Sequence, residues 1–144
     1  MKLSSPGFKP NKPIPAKYAC QGEDINPELN ISEVPEGAES LALIMDDPDA
    51  PGGTWVHWVV WSIPADTKVI NEDSVPGTQG VNSWGNNEYG GPCPPSGEHR
   101  YVFKVYALDI NLDLDETSNK NVLEQAMKGH VLASAELTGL YSKE

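Results

Sequence analysis

A chain of 144 residues is long enough for one hydrophobic core and short for two, so a single domain over 1–144 is expected. Thirteen glycines and thirteen prolines interrupt long helices and supply tight connections, which with 38% hydrophobic residues implies a globular, mainly β fold. Its 21 acidic against 10 basic residues leave a formal charge of −11, a field that repels phosphate backbones and anionic lipid surfaces and excludes nucleic acid as the expected partner.

The opening stretch "MKLSSPGFKPNKPIPAKYAC" contains no apolar run long enough for a secretory signal or a membrane span, and prolines divide it throughout. A cytoplasmic protein without stable membrane insertion is the expectation. Cys20 and Cys93 can form one disulfide or remain two buried thiols; in a reducing cytosol two thiols are the commoner state, and that is the reading favoured here.

Further along, "SLALIMD" at 40–46 has the character of a strand, followed by the turn "DPDAPGG". The segment "TWVHWVVWSI" at 54–63 is apolar on both alternating faces, with Val56, Trp58 and Val60 on one side and Trp55, Val59, Trp61 and Ile63 on the other. A central strand covered above and below is expected there, which favours a sandwich or layered sheet. Residues 71–97 show little apolar periodicity over a length that passive connections seldom reach, so this loop is expected to be functional. "RYVFKVYALD" at 100–109 gives another strand. "NKNVLEQAMKGH" at 119–130 has apolar residues at helical spacing, a cap in Ser118 or Asn119, and a stop at Gly129. The tail "VLASAELTGLY" tilts towards a closing strand because Thr138 and Gly139 interrupt a helical pattern.

Strand phase then selects the candidate site. Asp47 is in register with Leu41, Leu43 and Met45; His57 with Trp55, Val59 and Trp61; His99 and Tyr101 with Phe103, Val105 and Ala107. A buried aspartate needs partners, so the economical arrangement brings Asp47 against one or both imidazoles with the Tyr101 hydroxyl nearby. Imidazolium, phenol and the backbone N–H groups of the loop at Gly90, Gly91 and Gly97 would together suit a small anion. Each of these residues also has a plain structural reading, as a satisfied core histidine, a turn former or a stiff crossing. Arg100, on the opposite phase, is expected in an ion pair or anchoring the loop, and His130 as a capping or solvated residue. Neither Cys-x-x-Cys nor His-x-x-x-His is present, so no metal and no cofactor are expected. The chain also lacks a Gly-x-Ser-x-Gly elbow.

The motifs "DDPDAPGG" (46–53), "WVHW" (55–58) and "YGGPCPPSGEHRYVF" (89–103), in this order, resemble the phosphatidylethanolamine-binding protein family, also called the Raf kinase inhibitor protein family, and most closely its bacterial and archaeal members. The likeness extends over nearly the whole chain. It implies an antiparallel β-sandwich with one or two short peripheral helices and an anion pocket at one end. Carried over, Asp47, His57, Gly91, Pro92, His99 and Tyr101 match the pocket residues, for phosphate-like or carboxylate groups. Cys93 stands where eukaryotic relatives tend to have proline. The resemblance also implies a homodimer. A regulatory binding module rather than an enzyme is expected; the alternatives are an inhibitor of proteases or kinases, and a hydrolase using Asp47, His57 and His99 on phosphoesters or esters.

Overall fold

A computed structural model describes residues 1–143. In chain order the elements are β1 (Lys2–Ser4), a 3-10 turn at Ala16–Tyr18, β2 (Leu29–Ser32), β3 (Ser40–Asp47), β4 (Trp55–Pro64), β5 (Val69–Ile70), β6 (Thr78–Gln79), β7 (Glu98–Leu108), α1 (Lys120–Met127) and β8 (Val131–Ser142). The strands form two antiparallel sheets, one of three strands ordered β1-β2-β5 and one of five ordered β6-β4-β3-β7-β8.

Alternation on β3 explains why the larger sheet is covered on both faces. Leu41, Leu43 and Met45 point towards the smaller sheet and join Leu29, Ile31 and Ile70 in the main core, with Trp58, Val60, Phe103 and Val105 from the neighbouring strands. Ala42 and Ile44 point the other way, where Val59, Trp61 and Leu108 meet Leu123 and Met127 of α1. All eight positions of β3 are therefore buried. This is a mainly β, antiparallel sandwich with a helix on the outer face.

Two expectations shift. β3, not β4, is the middle strand, and β4 has only the two-residue β6 as a sheet neighbour on its outer side. The loop after β6 completes that edge instead: Gly80, Ser83 and Gly90 donate backbone N–H groups to the carbonyls of Val59, Val56 and His57. The loop is thus hydrogen-bonded to the sheet, leaving few orphaned backbone groups there. Secondly, β4 does not keep one phase along its length. Met45 pairs with Trp58 but Asp46 pairs with Val56, so His57 is an extra residue, a β-bulge. A second irregularity lies between Leu41 and Leu43, near Ser62 with its φ of 56°. As a result Val56 joins Val59 and Trp61 on the outer face, while Ile63 joins Trp58 and Val60 in the main core.

At the C-terminal end the sequence pattern holds. Asn119 caps α1, its side-chain oxygen accepting from the Val122 N–H at 3.1 Å, and Gly129 at φ 79° turns the chain into β8. Asp46, buried on the outer face, pairs with Lys120 at 3.0 Å and Lys104 at 3.6 Å and so fastens the start of α1 to the sheet. No helix among the described residues is long and apolar enough to cross a membrane.

Candidate functional site at the end of the sandwich

Three neighbouring strands deliver the site. Asp47 is the last residue of β3, His57 lies near the start of β4, and His99 and Tyr101 lie near the start of β7, so their side chains meet at one end of the larger sheet. The Asp47 Oδ2 atom is 2.7 Å from His99 Nδ1, and its Oδ1 accepts the Asp49 N–H at 2.8 Å. Both carboxylate oxygens are therefore engaged, one by an imidazole and one by the turn that follows. An imidazole nitrogen facing a carboxylate oxygen at that distance donates, so His99 carries its proton on Nδ1.

His57 reaches the same place through the bulge. On an uninterrupted strand it would share the outer face with Val59 and Trp61; the extra residue instead turns its ring to within 5.2 Å of Tyr101, edge to face, on the main-core side. Its Nδ1 lies 2.7 Å from the carbonyl oxygen of Gly90, which only accepts, so this ring too carries its proton on Nδ1. Burial lowers its pKa, opposed by the Gly90 carbonyl and by the charge of Asp47. His57 is thus held neutral over a wider range than a free imidazole.

Tyr101 lies beneath the two imidazoles, stacked at 6.5 Å from His99, and is fully buried. Its hydroxyl is the one buried side-chain polar atom without a hydrogen-bond partner among the described residues. Burial, with the charge of Asp47, pushes its pKa well up, so it remains a phenol able to donate.

Asp47, His57 and His99 open into a cavity of about 260 Å³ whose other walls include Trp55, Trp84, Cys93 and Pro95. With each Nδ1 tethered, the Nε2 edges of both rings are left for the cavity. Tyr101 does not line it, and neither do Gly91 and Pro92. The Gly91 N–H donates to Asp24 Oδ1 at 2.7 Å, a Cβ there would sit 2.1 Å from the Tyr18 carbonyl oxygen, and the Pro92 carbonyl accepts from the Cys20 N–H at 3.0 Å. The Gly90 N–H is likewise spent on His57. These residues hold the loop against the 3-10 turn, and the backbone donors expected of Gly90 and Gly91 are used inside the protein. Tyr89 adds a further tie, its hydroxyl donating to the Tyr18 carbonyl at 2.8 Å.

The cysteines differ from expectation. Cys20 and Cys93 are joined in a disulfide with their Cα atoms 5.5 Å apart, and both residues are exposed. Closing the loop onto the 3-10 turn brings the two residues together across a sequence separation of 73, which local sequence patterns do not reveal. A disulfide persists where thiol reductants do not remove it, which sits poorly with the reducing compartment that favoured thiols.

Trp84 was not singled out in the sequence. It is 44% exposed and packs edge-on against His57 at 4.9 Å and Trp55 at 5.6 Å. Buried Asn82 positions it, accepting from the Trp84 and Asn86 N–H groups and donating to the Glu88 carbonyl. A large aromatic within a long loop was the available signal. Arg100 has the ion-pair role its phase implies: two guanidinium nitrogens at 2.9 and 2.8 Å and its own N–H hold Asp49. That pairing depresses the Asp49 carboxyl to about 2. His130 bonds Asp109 away from the site. Among the described residues no group of three or more His, Cys, Asp or Glu is arranged to hold a metal ion.

The lowered His57 pKa has a defined sign for stability. Below the ordinary value of 6.5 the unfolded chain binds a proton at this position that the folded chain does not, so the folded state loses ground as pH falls and is unaffected above that value. Urea midpoints measured from about pH 7 to about pH 5 are expected to fall less steeply for His57→Asn than for the natural chain. Parallel slopes would contradict a buried, neutral His57.

A two-sheet antiparallel sandwich with a histidine-lined cavity at one end defines the class of β fold to which the chain belongs. The chain belongs to the phosphatidylethanolamine-binding protein family, and is of the bacterial and archaeal type: the family profile of that description matches residues 4–142. It is 47% identical to a UPF0098 protein of Methanothermobacter thermautotrophicus, with 99% of each chain covered, and 46% identical to one of Aquifex aeolicus, covering 100% of this chain and 90% of the relative. Among solved structures it is similar to CT736 of Chlamydia trachomatis, a phosphatidylethanolamine-binding protein homologue, at 43% identity and a TM-score of 0.96 over 99% of this chain and 97% of that one. It is also similar to YbcL of Escherichia coli, described as a member of the mammalian PEBP family, at 32% identity and 0.92 over 99% and 98%.

Proposed function

We propose that the end cavity binds a small oxyanion-bearing ligand, a phosphoryl or carboxylate group, and that the protein works as a regulatory binding module. The observation that carries this reading is the pair of imidazoles, His57 and His99, each tethered through Nδ1 and both lining one cavity. Each ring keeps a second nitrogen with which a ligand oxygen could hydrogen-bond. The family description, phosphatidylethanolamine-binding, supports a phosphoryl headgroup as the model ligand. Cys93, tied in a disulfide, offers no thiolate nucleophile to the cavity.

Calorimetric titration of phosphoethanolamine, inorganic phosphate and acetate tests the reading. At least one of the three is expected to bind, with His99→Ala weakening the affinity about tenfold or more, since a hydrogen bond to a charged group is worth roughly 1.5–3 kcal/mol. No binding of any of the three would sink the proposal. Generic phosphoesters and esters are expected to show no turnover. We further propose that two copies associate, as sedimentation velocity at micromolar concentration would show.

A further inference from the structure

The residues that surround the cavity have an unusual charge balance for an oxyanion site. From β3 comes the Asp47 carboxylate; from β4, His57 and Trp55; from the loop, Trp84, Pro95 and the disulfide-bonded Cys93; from β7, His99. No lysine or arginine lines it among the described residues. Arg100 is turned outward onto Asp49, and Lys104 and Lys120 pair with Asp46 on the opposite face of the sheet. Among the described residues the wall therefore has a carboxyl group and no lysine or arginine to offset it.

Tautomers sharpen the point. Because the Gly90 carbonyl fixes the His57 proton on Nδ1, the neutral ring presents a lone pair at Nε2. An ionised oxygen placed opposite that lone pair meets acceptor against acceptor, with the Asp47 charge close behind. A ligand oxygen that carries hydrogen would instead donate to Nε2. Burial, which disfavours the imidazolium of His57, acts in the same direction.

We infer that the cavity takes its ligand as a proton-bearing oxyacid, such as a phosphate monoester in its monoanionic form, and rejects isosteres that have no hydrogen on oxygen, with His57 as the residue that reads the proton. This rests on the proposal that the cavity is an oxyanion site. It also separates two sources of a phosphoryl group: a free monoester has the required hydroxyl, whereas the diester of an intact phospholipid does not.

Methyl phosphate, methyl sulfate and dimethyl phosphate test the inference, and none carries an ammonium group that would itself satisfy His57. At about pH 6, near the second ionisation of a phosphate monoester, methyl phosphate is expected to bind at least about tenfold more tightly than the other two. At about pH 8, titrations in buffers of different ionisation enthalpy are expected to show close to one proton taken up per methyl phosphate bound. His57→Asn, which offers an amide donor, is expected to reduce the preference for phosphate over sulfate to within about threefold; the proton count on the natural chain stands whether or not that variant folds. Comparable affinities for methyl phosphate and methyl sulfate, or binding at about pH 8 without proton uptake, would overturn the inference and leave the oxyanion site in place. If none of these ligands binds, nor phosphoethanolamine, phosphate or acetate, both readings fall together.

Discussion

Replacing Cys20 and Cys93 together by serine is expected to lower stability by about 4 kcal/mol, because the bond closes a loop across a sequence separation of 73 and removes that freedom from the unfolded chain. For a domain of this size the midpoint of thermal unfolding should drop by about 10 °C or more. Both cysteines are exposed, so a dithiol reductant should bring the natural chain down to the midpoint of the double variant and leave the variant unchanged. An identical midpoint before and after verified reduction would show that the bond contributes nothing. The cavity should suffer less than the fold, since Gly91 to Asp24, Cys20 to Pro92 and Tyr89 to Tyr18 hold the loop by hydrogen bonds alone.

Asp47→Ala is the second large effect. It strips the His99 Nδ1–H of its acceptor at 2.7 Å and the Asp49 N–H of its own at 2.8 Å, in a place where His99 is buried. Removing one member of a buried polar pair costs about 3 kcal/mol or more, and the unanchored imidazole should lose its orientation towards the cavity. Asp47→Asn keeps an oxygen for one of these donors and should cost less, about 1–2 kcal/mol. Chemical denaturation reads the difference directly. Equal losses for the two variants would mean that the carboxylate is not working through these two hydrogen bonds.

Much of this arrangement was legible because it follows from strand alternation. Leu41, Leu43 and Met45 extend in phase to Asp47, and Phe103, Val105 and Ala107 extend back to Tyr101 and His99, so strand phase alone puts these polar residues on core-facing positions. His57 shows the limit. Its assigned phase pointed to Val59 and Trp61, and one extra residue in β4 reversed it, because the choice to pair Met45 with Trp58 and Asp46 with Val56 is made by tertiary packing. The same bulge moves Val56 to the outer face, and the second irregularity, near Ser62, moves Ile63 into the main core. The loop was harder still. Its glycines were read as N–H donors to an anion, yet what they approach, the Tyr18 carbonyl for Gly91 and the Trp84 ring for Gly90, lies elsewhere in the chain or in an irregular segment. Trp84 itself has no period to mark it, and it is Asn82 that sets its turn.

The disulfide also divides the chain topologically. Residues 20–93 form a closed covalent ring that contains Asp47, His57 and Trp84, while His99, Tyr101, α1 and β8 belong to an open tail. Every aspartate of the Asp46-Asp47-Pro48-Asp49 stretch sits on the ring and reaches a residue of the tail: Asp46 to Lys104 and Lys120, Asp47 to His99, Asp49 to Arg100. That short stretch is therefore a seam stitched by charge between two parts of one molecule, and the cavity lies across it. A substitution on either side of one of these bridges is therefore expected to act on the cavity through the other side.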